Sequence, residues 1–254
     1  MRRFTVEQLT VCVAGDTREM ALAAADAAAS ALRAAVATRG EANVMLATGN
    51  SQLAFLAALI ELDGIAWHRV RAFHMDEYVD LPPSHPASFQ RYMRELVAAQ
   101  LPFMEFNYLT GDTGDPDAEA ARYEALLRAH PLDLCCCGIG ENGHLAFNDP
   151  PVADFDDPRD VKIVALEAAS RRQQVGEGHF PSFEDVPMRA ITVTIPALLR
   201  AGTVLAIVPE ARKARPVHDA LHGPITTGCP ASTLRRQANA TLYLDPESAA
   251  LLTP

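Results

Sequence analysis

The sequence predicts an α/β protein with an open, mostly parallel sheet flanked by helices. Three observations carry that expectation. Short apolar runs alternate with longer helical patterns, several of the runs end in glycine-rich or acidic turns, and Leu132–Cys137 leads directly into Gly138-Ile139-Gly140-Glu141-Asn142-Gly143-His144. A buried strand emptying into a glycine-permissive turn is how such sheets present polar groups along one edge.

Taken in order, the Ala-rich stretch 18–37 has high helix propensity and Gly40 offers a stop. Asn43–Ala47 reads as a buried strand ending at Thr48-Gly49-Asn50-Ser51, and a helix over 52–62 completes one βα unit. A second strand, Val70–Phe73, runs into His74-Met75-Asp76-Glu77-Tyr78, and a Pro-rich loop at 81–86 precedes a helical pattern at 89–96. A helix over 116–129 leads to the cysteine strand. Ile191–Ile195 and Val204–Val208 read as later strands, alternating with helices at 196–200 and 210–221. Between about 149 and 188 a loop-rich insertion is expected to form a lid or side hairpin. No long flexible linker divides the chain, so 1–254 reads as a single domain, without repeats or heptads.

Composition narrows the function classes. With 254 residues, 49% of them hydrophobic, the chain has ample material for a core. A net charge of -10 argues against a general nucleic-acid surface, while an anionic metabolite needs only a local basic pocket. Cys12, Cys135, Cys136, Cys137 and Cys229 form no Cys-x-x-Cys pair, so buried free thiols in a reducing compartment are expected. Asp16, Glu19 and Asp26 interrupt the Ala-rich stretch, so no continuous apolar span of about 20 residues is seen and no membrane is expected. A cytoplasmic protein follows, with a homo-oligomer left open.

The candidate chemistry lies at strand ends. Asp76, His144 and the Gly49-Asn50-Ser51 turn are distant in sequence, yet each follows an inferred strand, and parallel strands share one edge. An imidazole exchanges protons near neutral pH, especially when a carboxylate fixes its tautomer. Asp76 equally suits a turn or cap, and Glu77 suits a structural pairing. Backbone N–H groups of the 48–51 turn and the Ser51 hydroxyl can face a phosphate, with Lys213 as a second anionic clamp. Gly138, Gly140 and Gly143 match Gly-x-Gly-x-x-Gly, but Phe147-Asn148-Asp149-Pro150 interrupts the helix that should follow, and Asp156 is a poor ribose partner. His74, Asp76, His144 and Asp149 are metal-ligand types without a short ligand cluster. Neither a metal nor a cofactor is expected.

These motifs together resemble the glucosamine-6-phosphate deaminase (glucosamine-6-phosphate isomerase) family, within the group that includes 6-phosphogluconolactonases. The resemblance runs from Leu46–Ser51 through Phe73–Tyr78 and Gly138–Pro150 to Lys213-Ala214. It implies an open Rossmann-like sheet, a phosphorylated amino sugar as substrate, and conversion of glucosamine 6-phosphate and water to fructose 6-phosphate and ammonia. By the same resemblance Asp76 is the base at sugar C2 and His144 promotes ring opening. Asp149 stands where the family commonly has a glutamate partnering the histidine, its shorter reach calling for a loop shift or a bridging water. Asn142 orients rather than accepts protons, and Glu141 is given no step. Gly49, Asn50, Ser51 and Lys213 match the phosphate site, although Ser51-Gln52 replaces a Thr-Pro ending. An arginine from the region after the histidine motif is implied, for which Arg171 and Arg172 are the candidates; His179 there reads as a loop-fixing or surface histidine, with the cleft as its alternative. The competing readings are a lactone hydrolase and a sugar-phosphate-binding regulator without turnover.

Overall fold

The computed structural model describes residues 1–252. Its main sheet is parallel apart from an N-terminal hairpin of β1 (Arg2–Val6) and β2 (Leu9–Val13). After β2 come, in spatial order, β11 (Ala240–Leu244), β10 (Thr203–Val208), β7 (Leu134–Cys137), β3 (Ala42–Leu46), β4 (Val70–His74) and β6 (Glu105–Asn107). The chain steps outward from β3 through β4 to β6, then returns to the other side of β3 as β7 and steps away through β10 to β11. This reversal puts a crevice beyond the carboxyl ends of β3 and β7, where open α/β sheets bind ligands.

Period-two alternation divides the core into two layers. Cys135 and Cys137 pack with α4 (Pro116–Ala129), α6 (Ile195–Leu199) and α7 (Ala214–His222) on one face. Cys136 packs on the other with α1 (Thr17–Arg39) and α2 (Leu53–Ile60). The three thiols are thus core side chains of a strand buried on both faces, all free.

Helix ends follow local chemistry. Asp16 caps α1 by accepting from Glu19 N at 2.7 Å, and Gly40, at φ 83°, closes it in the left-handed region. Contrary to the expectation drawn from its acidic residues, α1 is by length and composition apolar enough to span a membrane, with an 18-residue stretch of mean hydropathy 1.4. Its buried face, from Met20 to Ala35, packs against α2 and the sheet as a core helix does. Asp115 caps α4 through Ala118 N at 3.0 Å. The helix expected over 89–96 is α3 (Phe89–Met93) continued by a π-helical turn, Arg94–Ala98.

A second sheet departs from the expected parallel pattern. The strand expected at Ile191–Ile195 is β9 (Arg189–Val193), because Pro196 favours a helix start and Ile195 opens α6. It lies outside the main sheet, antiparallel to both β5 (Asp76–Tyr78) and β8 (Val161–Ala165). The insertion after the histidine motif is therefore β8, helix α5 (Ala168–Gly176) and a loop returning to β9, in place of a simple hairpin. The helix expected over 210–221 begins as a 3-10 turn, Ala211–Lys213, and continues as α7.

Candidate active site

An open cleft lies at the crevice, lined at one end by Asp76, Gly140 and His144 and at the other by Gly49, Ser51, His179 and Lys213. The inferred strand ends thus converge on one edge. No helix follows the Gly138–Gly143 turn; the chain folds into a tight loop before β8.

The histidine is fixed from both sides. Asp149, fully buried, puts Oδ1 2.9 Å from His144 Nδ1, so the pair meets directly without the bridging water that was one of the two expected compensations. Ser170 Oγ lies 3.0 Å from the same nitrogen and donates to Asp149 Oδ1. Asn142 Nδ2 donates to Asp149 Oδ1 at 2.9 Å and to Glu167 Oε2 at 2.6 Å, while its Oδ1 accepts from His144 N at 3.1 Å. Asn142 is thus an orienting group. Burial works to raise the Asp149 pKa, but the hydrogen bonds from His144, Asn142 and Ser170 outweigh it and hold the carboxyl below its ordinary range. A carboxylate at Nδ1 favours the tautomer with hydrogen there, leaving Nε2 for a ligand. The imidazole lies flat on Gly140, where a Cβ would come within 2.2 Å of the ring. The loop itself is pinned to β9 by Asn148 Nδ2, donating to Val193 O at 2.9 Å, and by Phe147 N, donating to Thr192 Oγ1 at 3.1 Å. Ala146, at φ 50°, carries backbone strain beside the cleft.

Asp76 sits in β5, directly opposite Thr192 of β9, rather than in a turn after β4. Its Oδ1 is buried without a hydrogen-bond partner. Burial, and then the neighbouring Glu77 carboxylate, push its pKa well above the ordinary value, as suits a general base poised for a carbon acid. Glu77 is spent structurally. It accepts from Tyr78 N, Ser88 Oγ, Phe89 N and Gln90 N, stapling the start of α3 to β5. His74 accepts from Leu109 N at Nε2, and burial lowers its pKa to about 3, so it is a neutral structural imidazole.

At the opposite end, Gly49 has φ 102°, a conformation reserved in practice for glycine. Gln52 donates to Ile207 O at 3.1 Å and ties this turn to the end of β10. Asn50 Nδ2 donates to Glu177 O at 3.2 Å, joining the turn to the end of α5. The chain has two lysines, Lys162 and Lys213. Lys213 is 3% exposed and, among the described residues lining the cleft, is the only lysine or arginine. Burial lowers its pKa, opposed through space by Glu177 and Glu141.

Neither candidate arginine lines the cleft. Arg171 donates from Nη2 to Phe183 O and Val186 O, and its guanidinium stacks 3.9 Å from the Phe183 ring centroid. Arg172 is exposed. Instead α5 turns Ser170, Gln173, Gln174 and Glu177 inward, at the i, i+3, i+4, i+7 spacing of one helical face. That polar stripe was the available signal, and Arg171 lies off it. Gln174 Oε1, like Asp76 Oδ1, is a buried acceptor without a partner.

A family profile for "Glucosamine-6-phosphate isomerases/6-phosphogluconolactonase" matches residues 15–243. The chain is 38% identical over 208 residues to a glucosamine-6-phosphate deaminase of Exiguobacterium sibiricum, covering 82% of this chain and 80% of that one. It is 36% identical over 216 residues to a glucosamine-6-phosphate deaminase of Bacillus cereus, covering 85% and 80% respectively. Among solved structures, a monomeric glucosamine-6-phosphate deaminase superposes with TM-score 0.86 at 28% identity, over 95% of this chain and 99% of the other. A 6-phosphogluconolactonase of Shewanella baltica gives TM-score 0.77 at 18% identity, over 95% and 99%, a likeness of fold.

Proposed function

Since the chain belongs to the family of glucosamine-6-phosphate isomerases and 6-phosphogluconolactonases, we propose that it is a glucosamine-6-phosphate deaminase, converting glucosamine 6-phosphate and water to fructose 6-phosphate and ammonia. The observation that carries the choice within the family is the unpartnered buried carboxylate of Asp76, in one cleft with His144 and Lys213. Ester hydrolysis of a lactone requires no base at C2. Aldose-ketose isomerisation does.

In the proposed mechanism the phosphate binds between the Gly49–Ser51 turn and Lys213. His144 Nε2, with Asp149 holding Nδ1–H, moves the proton between the C1 hydroxyl and the ring oxygen, opening the pyranose. Asp76 takes the C2 proton to give an enolamine and returns a proton to C1. Water then adds to the C2 imine, and the carbinolamine collapses to the ketone and ammonia. Only proton transfers and hydrolysis are involved, so the sequence of steps requires no electron acceptor. All the named groups come from one chain, which supports the proposal that the site is complete in a monomer, and we assign the reaction to the cytoplasm.

The test is ammonia release from glucosamine 6-phosphate by the purified protein, beside hydrolysis of 6-phosphogluconolactone. Saturable ammonia production with matching fructose 6-phosphate is expected. Lactone hydrolysis without ammonia release would overturn the assignment.

A further inference from the structure

We propose that His179, beside Glu177 in the cleft, is a second side-chain donor to the substrate phosphate, acting with Lys213 in place of an arginine. This inference rests on the phosphate end assigned above. Helix α5 ends in a left-handed closure: Gly178, at φ 81°, donates N–H to Val175 O, and His179 donates N–H to Gln174 O, both at 3.0 Å. That pair of bonds is the Schellman pattern, so His179 is delivered to a defined place just past the helix end. The next residue anchors it. Phe180 is 3% exposed, edge-on to Tyr78 at 5.4 Å and stacked on His85 at 5.5 Å. Asn50 holds Glu177 O, so the imidazole lines the same cleft as Gly49, Ser51 and Lys213.

The charge arrangement points the same way. His179 Nε2 lies 3.3 Å from Glu177 Oε2 yet is buried without a hydrogen-bond partner, so this nitrogen is the one left for a ligand. Glu177 is itself held by Gln173 Nε2 at 2.9 Å and lies 3.7 Å from Arg212, so it has partners other than His179. The remaining charged groups around this end are Lys213, Glu141 and Glu210.

The experiment uses the reduced open-chain alditol of glucosamine 6-phosphate, which has no C1 carbonyl and cannot turn over, with the unphosphorylated alditol and inorganic phosphate. Calorimetry at pH 7 on wild type, His179→Gln and His179→Arg measures selectivity. His179→Gln is expected to weaken both phosphorylated probes about tenfold or more, leave the unphosphorylated alditol unchanged, and be rescued by His179→Arg. In parallel, inorganic phosphate added to ¹⁵N-histidine-labelled wild type should move the His179 ring resonances toward those of imidazolium. Unchanged phosphate affinity in a folded His179→Gln protein, equal loss for both alditols, or unmoved ring resonances would overturn the proposal. If wild type releases no ammonia yet shows this phosphate-selective loss, the deaminase assignment fails and the clamp stands.

Discussion

The two ends of the cleft are built differently. Around His144, Asp149, Ser170 and Asn142 meet within 3.1 Å, and each of those contacts is to another protein group. Around Lys213 the carboxylates act through space, Gly49 faces open volume and the acceptor of Gln174 is unpartnered. Under the proposed mechanism the difference separates two tasks. Proton transfer demands groups held in place before substrate arrives, whereas an oxyanion brings charge enough to complete its own site.

The sharpest test of that division is Asp76→Asn. C2 proton exchange with solvent deuterium, followed by NMR, should fall by at least about 10²–10⁴-fold with little change in binding of the phosphorylated alditol. The same change should raise Tm at neutral pH. Burial raises the folded-state pKa of Asp76 above its unfolded value, so the protonated form is favoured by folding. Stability from this group is therefore present below the unfolded pKa and lost as pH climbs toward the folded one, a loss the amide avoids. Retained exchange would remove Asp76 as the base.

His144→Gln comes next. It should lower kcat/KM about 10²-fold or more for the cyclic sugar and far less for an acyclic analogue that bypasses ring opening. Equal losses on the two substrates would break the assignment of His144 to that step.

For Lys213→Met the expectation moves to the other end: affinity for the phosphorylated alditol falls about tenfold or more, the unphosphorylated one is unaffected, and the fold persists because a buried ammonium is replaced by an apolar chain. If calorimetry instead finds both affinities unchanged and kcat reduced, the two-ended division collapses.

The smallest effect belongs to Ser170→Ala. Losing the hydroxyl that meets His144 Nδ1 and donates to Asp149 Oδ1, at a net cost of about 1 kcal/mol, should reduce kcat roughly fivefold with KM unchanged, since Asp149 still holds the ring. Asp149→Asn complements it through pH. The carboxyl is held low in the folded state, so its stabilising contribution is present above the unfolded pKa and lost as pH falls through the folded one. Thermal melts from pH 7 to pH 3 should therefore be less acid-sensitive in the variant, from a lower starting Tm.

The contrast also explains what the sequence made legible. Strands β3, β7 and β10 are buried apolar runs with turn signals at their ends, so they and the residues just beyond them could be placed. Strands β1, β6 and β8 are short or half-exposed, and β5 pairs with β9 across more than a hundred residues, a register no local pattern encodes. Asp149 was legible by likeness, but its direct contact depends on tertiary placement of Ser170 and the strained Ala146 loop. The arginine expectation failed for a different reason. Spacing after a motif says nothing of which side of a helix faces the cleft, and Arg171 was spent on packing the returning loop.

That returning loop closes on itself: Leu166 N donates to Met188 O at 2.9 Å, so the chain leaves and rejoins the small sheet at adjoining points. Residues 167–187 form a cassette whose length and content can be exchanged while β8 and β9 keep their pairing, and with it the position of Asp76 opposite Thr192. Because that cassette carries Ser170 as well as Glu177 and His179, exchanging it would, on the proposed roles, alter substrate choice and histidine tuning together.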